Sequence, residues 1–214
     1  MLGVGDFRSV MLQGRLLGVG SPVVDPGARF VRRPLDERSW VDVARDWLRG
    51  ADTLFDRLRE TVEWAKGRRW MYDREVDDPR LSHWYDPDTV LPHPALFEMR
   101  EALGARYDVR FGAVGLNYYR DGRDSVAFHR DRELRHLDDT LIAIVTLGAQ
   151  RPFLIRPRGR GRSIDLSPVS GDVLVMGGAC QQGFEHGVPK VAHAGPRISV
   201  TYRWARRPAP RAVD

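Results

Sequence analysis

Two rhythms of apolar and polar positions divide the chain. In its first half the apolar residues recur at helical spacing. Trp40, Val43, Ala44, Trp47 and Leu48 predict a helix over 37–49, with Asp36 as its cap and Gly50 as its stop. Leu54, Leu58, Val62 and Ala65 predict a second helix over 52–65, and a third is predicted over 95–105. From Phe111 onward the pattern shortens to strands separated by turn residues, over 115–120, 126–130, 141–147, 152–156, 163–166, 172–176 and 197–204. Such a series predicts a sandwich or jelly roll. Two further short strands are expected at 7–13 and 29–33, and Gly3-Val4-Gly5 and Gly18-Val19-Gly20 read as turns. The resulting fold class is α+β, with the N-terminal helices packed on one sheet. Residues 1–110 are expected to form an N-terminal extension, 111–204 the core, and the Pro- and Arg-rich 205–214 a disordered tail.

Composition narrows the chemistry. The 214 residues suit one domain with a real core, and 42% hydrophobic against 29% charged is ordinary for a globular protein. No apolar run approaches a membrane span and the start does not read as a secretory signal. Cys180 is the only cysteine, which rules out an intramolecular disulfide or a cysteine-based zinc site and gives Cys180 itself a structural reading. A cytoplasmic protein is expected, with neither a membrane nor an obligate protein partner. The net charge is +5, and because Lys66 and Lys190 are the only lysines, 32 of the 34 basic side chains are arginine. Such a balance suits a polyanionic partner, though an arginine-rich genome would produce it too.

His129 and Asp131 stand two residues apart in an extended run, so both side chains can reach one ion. Phe184-Glu185-His186-Gly187 supplies a second histidine. Two histidines and one carboxylate make the facial triad of non-haem Fe(II) oxygenases, which leaves positions open for cosubstrate and oxygen. His83, His93, His136 and His193 compete for the third place.

The last strand sharpens the reading. Ile198, Val200, Tyr202 and Trp204 form an apolar face; Arg197, Ser199, Thr201 and Arg203 lie opposite. Buried arginine is rare unless paired. Either a dicarboxylate ligand partners these guanidiniums, or this is an edge strand with a solvated basic face. Asn117 and Tyr119 share a face and can add neutral hydrogen bonds to the same ligand.

In order, Asn117-Tyr118-Tyr119, His129-x-Asp131-x-Glu133, His186 and Arg197-x5-Arg203 resemble the AlkB family of oxygenases, over roughly residues 70–204. Pro79-Arg80 with Tyr85 resembles the nucleotide-recognition lid of the family's animal DNA-repair members. The resemblance implies a double-stranded β-helix (jelly-roll) core. It implies Fe(II) held by His129, Asp131 and His186, with 2-oxoglutarate and O2 as cosubstrates. Arg197 would meet the far carboxylate of 2-oxoglutarate, and Asn117, Tyr119, Ser199 and Arg203 would complete its pocket. Ser199 departs from the asparagine usual in the repair members. The implied reaction is oxidative removal of N-alkyl groups, as from 1-methyladenine and 3-methylcytosine in DNA.

A base inside a duplex is inaccessible, so such an enzyme needs aromatic and basic groups to hold a flipped or single-stranded target. Arg69, Trp70, Tyr72, Arg74, Arg80, Trp84 and Tyr85 are candidates, Arg80, Trp84 and Tyr85 foremost; Trp70 and Trp84 can equally be core residues. Glu133 follows the metal-ligand aspartate by two residues and, by the resemblance, would read the exocyclic amine of the base. The run Arg151–Arg162 is expected to be a flexible basic hairpin, with Arg158, Arg160 and Arg162 on phosphates. The alternatives are the same chemistry on methylated RNA, a protein or a small molecule, and a non-catalytic jelly roll that binds nucleic acid.

Overall fold

A computed structural model describes residues 20–71, 74–159 and 161–206, with side chains left out of account over 69–76. The strand expected at 7–13, Tyr72, Arg160 and most of the 205–214 tail lie outside the described residues.

Antiparallel pairing builds two main sheets. The larger has eight strands in the order β2 (Phe30–Pro34), β3 (Ser39–Ala44), β12 (Val173–Gly178), β9 (Thr140–Gly148), β14 (Arg197–Ala205), β7 (Val114–Tyr119), β6 (Arg74–Tyr85) and β5 (Ala65–Met71). The smaller has four, in the order β11 (Ile164–Asp165), β10 (Leu154–Pro157), β13 (Phe184–Val188) and β8 (Val126–His129). A short pair, β1 (Val23–Val24) with β4 (Leu48–Arg49), stands apart. The two main sheets form the double-stranded β-helix.

Strand alternation makes two cores. On β9, Leu141, Ala143, Val145 and Leu147 face outward onto the helices, while Ile142 and Ile144 face the opposite sheet. Helix α1 (Ala51–Thr61) buries Leu54, Phe55 and Leu58, and α2 (Pro94–Tyr107) buries Leu96, Met99 and Leu103, in the outer core with Val145, Val200 and Tyr202. Phe153, Ile155, Leu174, Met176 and Phe184 fill the space between the sheets. Each fully buried Leu or Met removes from water an area that stabilises by about 1.5–3 kcal/mol. Cys180, in the one-turn α3 (Cys180–Gly183), belongs to this inner core, and burial pushes its thiol up to about 12.

The helix expected over 37–49 is instead β3 and β4. Val41, Asp42 and Ala44 are all buried, because β3 lies inside the larger sheet with neighbours on both edges. A strand buried on both faces loses its period-2 signature, and its apolar positions then fall at helical spacing by coincidence. Asp36 does cap, but as a turn: Oδ1 accepts from the backbone N–H groups of Arg38 and Ser39 at 2.8 and 2.6 Å. Gly50 opens α1 rather than closing a helix; its φ of 65° and the Ser21 carbonyl 2.6 Å from where a Cβ would sit both require glycine. Helix α1 ends at Thr61, and Ala65 already belongs to β5.

Candidate active site

The metal-ligand atoms come together because β13 pairs with β8. His186 lies directly opposite His129 across this ladder, and their rings sit 4.3 Å apart between centroids. Strand β8 ends at His129; the chain stays open for two residues and then turns, with the Asp131 carbonyl accepting from Leu134 and Arg135 N–H. Asp131 Oδ1 thereby lies 3.5 Å from His129 Nε2 and 4.0 Å from His186 Nε2. One ligand atom from each of the three falls within 4.8 Å of the others, the one such cluster among the described residues. His83, His93, His136 and His193 stand elsewhere; His93 caps α2, its Nδ1 accepting from Ala95 N–H at 3.2 Å.

The surroundings set the protonation that a metal requires. Burial, reinforced by His129, pushes His186 down to about 3, so its imidazole is neutral at pH 7 with a lone pair available. Burial would raise Asp131, but the neighbouring His129 and the Arg203 guanidinium, which also donates to it, outweigh burial and hold the carboxyl well below the usual range. The His129 Nδ1 is 3.0 Å from the Ala127 carbonyl, which fixes the tautomer with Nε2 free. The backbone N–H of Asp131 donates to Gln181 Oε1 at 2.8 Å, and Arg203 Nε donates to Asp131 Oδ2. Sequence reasoning missed Gln181, which carries no pattern of its own.

Behind the triad, β14 points Arg197, Ser199, Thr201 and Arg203 inward, with Ile198, Val200 and Tyr202 in the outer core. The edge-strand alternative is excluded, since β14 lies between β9 and β7. Arg197 is completely buried. Its Nη2 donates to Thr146 Oγ1 at 3.2 Å, while Nε and Nη1 have no hydrogen-bond partner among the described residues. Burial pulls this guanidinium down to about 10. Thr146, the second residue missed, had one signal: it is a polar residue inside the apolar run of β9. The Tyr119 ring centroid lies 5.8 Å from the Arg197 guanidinium carbon.

A cavity of about 440 Å³ opens between the triad and β14; Arg197 and Thr146 do not themselves line it. Its lining includes Asn117, Tyr119, Ser199, Arg203 and the triad, with Arg80 and Trp84 at the outer end. Arg80 Nε donates to Asn117 Oδ1 at 2.8 Å. Trp84 is 48% exposed, so it is not a core residue, and the Arg203 guanidinium lies 5.2 Å from its ring. Gly115 makes that approach possible: a Cβ there would sit 2.8 Å from the indole and 3.2 Å from Arg203 Nη1. Tyr85 is on the other face of β6, packed against the outer core and tilted on His83. Glu133 sits in the turn after Asp131, not on an extended strand, yet its carboxylate comes within 3.9 Å of Arg203 Nε.

The basic hairpin is only partly as expected. Arg151 is fully buried, donating to the carbonyls of Asp121, Asp124 and Pro189 at 2.8–2.9 Å. Arg156 pairs with Glu185 at 3.1 Å and stacks on Phe128. Both hold the fold together. Arg158 and Arg162 are exposed.

The donor set fits iron, and the two unpartnered N–H groups of a buried Arg197 fit a carboxylate. Together with the double-stranded β-helix they define a non-haem iron oxygenase with a dicarboxylate cosubstrate. Residues 45–203 match the model of the 2OG-Fe(II) oxygenase superfamily, and the chain belongs to that superfamily. Its members use Fe(II), 2-oxoglutarate and O2, and His129, Asp131 and His186 form the iron-binding triad. The chain is 31% identical over 177 residues to the mouse alpha-ketoglutarate-dependent dioxygenase alkB homolog 3, covering 73% of this chain and 62% of that protein. It is 28% identical over 191 residues to the Arabidopsis thaliana DNA oxidative demethylase ALKBH2, covering 71% and 61%. The chain thus spans about three-fifths of the length of these curated relatives. Among solved structures, a Trichoplax adhaerens prolyl hydroxylase shares the fold with a TM-score of 0.60 at 11% identity, over 77% of this chain and 83% of that one.

Proposed function

We propose that this protein oxidatively demethylates N-alkylated bases in DNA, of the 1-methyladenine and 3-methylcytosine kind, and so repairs them directly in the cytoplasm. The observation that carries the reading is Trp84: a half-exposed indole, backed by Arg203, lining together with Arg80 the cavity that holds the iron triad. An aromatic face with neighbouring guanidiniums suits a stacked base and its phosphate. Likeness to proteins named alkB homolog 3 and DNA oxidative demethylase supports it.

Bound iron supplies activation of O2 coupled to oxidative decarboxylation of 2-oxoglutarate. In sum, the N-methyl group, O2 and 2-oxoglutarate give an N-hydroxymethyl group, succinate and CO2; the N–CH2OH then loses formaldehyde and leaves N–H. Arg197 holds the far carboxylate of 2-oxoglutarate with its free Nε and Nη1, and Tyr119, Asn117, Ser199 and Arg203 close the pocket around it. Arg203 at the same time fixes the outer oxygen of Asp131, leaving Oδ1 turned toward the histidines. Glu133 at the rim accepts from the exocyclic amine of the target base, and Arg158, Arg160 and Arg162 meet phosphates.

The test is a panel of methylated DNA and RNA oligonucleotides, methylated nucleosides and a methylated peptide, each incubated with Fe(II), 2-oxoglutarate and ascorbate and weighed by mass spectrometry. Loss of methyl from 3-methylcytosine or 1-methyladenine in DNA is expected. Turnover of the peptide or nucleosides alone would overturn the reading, and turnover of RNA alone would move it to RNA.

A further inference from the structure

Beside the active site runs a second cleft, of about 850 Å³, that neither the triad nor the cosubstrate pocket uses. Four segments build it: the turn Asp36–Ser39, the loop after His129, the start of the β10–β11 loop at Arg158, and α3 with its flanks. Its lining brings together Arg38, Arg130, Arg135, Arg158 and His136, against the acids Asp36 and Glu37.

Most of those cations are not neutralised. Elsewhere the arginines pair: Arg32 with Asp42, Arg45 with Asp172, Arg120 with Asp124, Arg156 with Glu185. Among the described residues, Arg38 is the one cation of this cleft with a carboxylate partner, Asp138 at 3.4 Å, and both are exposed. No ion pair among the described residues engages Arg130, Arg135 or Arg158. Asp36 is already occupied by the backbone N–H groups of Arg38 and Ser39. The scaffold is firm: Arg158 N–H donates to the Gly183 carbonyl at 2.8 Å, and Gln182 Nε2 donates to the His136 carbonyl at 3.4 Å. Arg130 stands between the iron ligands His129 and Asp131 in the chain, so this one loop borders both the site and the cleft.

We propose that this cleft binds the sugar-phosphate backbone of the strand that carries the target base, a few nucleotides away from it, with Arg130, Arg135 and Arg158 as phosphate donors and Arg38 at the rim. Guanidiniums that converge from separate segments without carboxylate partners recognise a polyanion, and their fork geometry matches phosphate oxygens. The proposal rests on the nucleic-acid reading above and adds where the flanking strand goes.

The test uses the full chain and the exposed double variant Arg38→Ala/Arg135→Ala. Binding of an unmodified single-stranded oligonucleotide, as DNA and as RNA, is followed by fluorescence anisotropy from 50 to 200 mM salt. Each phosphate contact on a single strand contributes about 0.7 to the slope of log K against log salt, so the double variant should lose about 1.4. Lengthening a substrate from three to nine nucleotides should raise wild-type kcat/KM, and the variant should lose most of that gain. Glu37→Gln, which removes a repelling charge, should tighten binding. Unchanged slopes in both variants would overturn the proposal. So would a polyglutamate peptide that displaces the oligonucleotide equally well at equal charge, for the cleft would then be a generic anion surface. Because binding is read on unmodified strands, the cleft is tested even if no methylated base is turned over.

Discussion

Arg197→Met tests the cosubstrate pocket through stability as well as activity. Arg197 is a fully buried cation with two donors unpartnered among the described residues, and burial pulls it down to about 10. Replacing a buried, poorly paired charge by an apolar side chain of similar length is neutral or stabilising. The melting temperature of the cosubstrate-free variant should therefore be no lower than that of the wild type. Binding should behave oppositely. Two charge-assisted hydrogen bonds of about 1.5–3 kcal/mol each are lost. Water recovers part of this, so the lower end applies: about 3 kcal/mol, or roughly a hundredfold in Kd. At 2-oxoglutarate a hundredfold above the wild-type Kd, the wild type gains about 2.7 kcal/mol and the variant about 0.4. For a chain of this size that is a rise of roughly 5–10 °C against about 1 °C. The assay is thermal unfolding under anaerobic conditions with Mn(II) in place of iron, with and without 2-oxoglutarate. An equal rise in both proteins would refute the assignment. A cosubstrate-free variant several degrees less stable would show that Arg197 is there for the fold.

Other consequences are as definite. Glu133→Ala should reduce kcat/KM on 3-methylcytosine by roughly ten- to a hundredfold, the value of one charged hydrogen bond, and leave 3-methylthymine unaffected because that base presents a carbonyl at the matching edge; equal losses on both would remove Glu133 from base reading. Leu58→Ala, at a fully buried position of α1, should destabilise by about 2–5 kcal/mol in urea unfolding without changing the 2-oxoglutarate KM, since Leu58 does not line the cavity. Acid stability follows from Asp121 and Asp124. The Arg123 hydrogen bond holds Asp121 down to about 2; Asp124 is raised by burial but brought below 3.8 by Arg120. Depressed carboxylates stabilise fully above the unfolded value and lose that contribution as pH falls through the folded one. The melting temperature should therefore drop between about pH 4 and pH 2, and Asp124→Asn should make the drop shallower.

How much was legible depended on whether a residue's role was written in a period. Strand β14 was readable to within a residue because one face is apolar and the other is not, and the same alternation exposed both arginines. The strands from β7 to β12 carried turn residues between them. Strand β13 escaped, although it holds His186: Phe184-Glu185-His186-Gly187 has low strand propensity and is made a strand by its neighbours β10 and β8. Strands β5 and β6 escaped because they are charged and contain Pro79, which falls at the break in register between Lys66↔Leu81 and Arg68↔Asp77. Strand β3 was mistaken for a helix because burial on both faces erased its alternation. Within the site, ionisable residues at fixed spacing were visible. Gln181, Thr146 and the structural role of Arg151 were not, since hydrogen bonds between distant segments leave no spacing in the chain.

The most direct test of the central claim is a stoichiometry. An oligonucleotide containing one 3-methylcytosine is incubated with the protein, Fe(II), O2 and 2-oxoglutarate, and succinate, formaldehyde and unmodified cytosine are quantified together. Equal amounts of formaldehyde and cytosine, at least matched by succinate, with all base conversion abolished in His129→Ala, are predicted. Cytosine formed without formaldehyde, or formed undiminished by His129→Ala, would contradict oxidative demethylation at the triad.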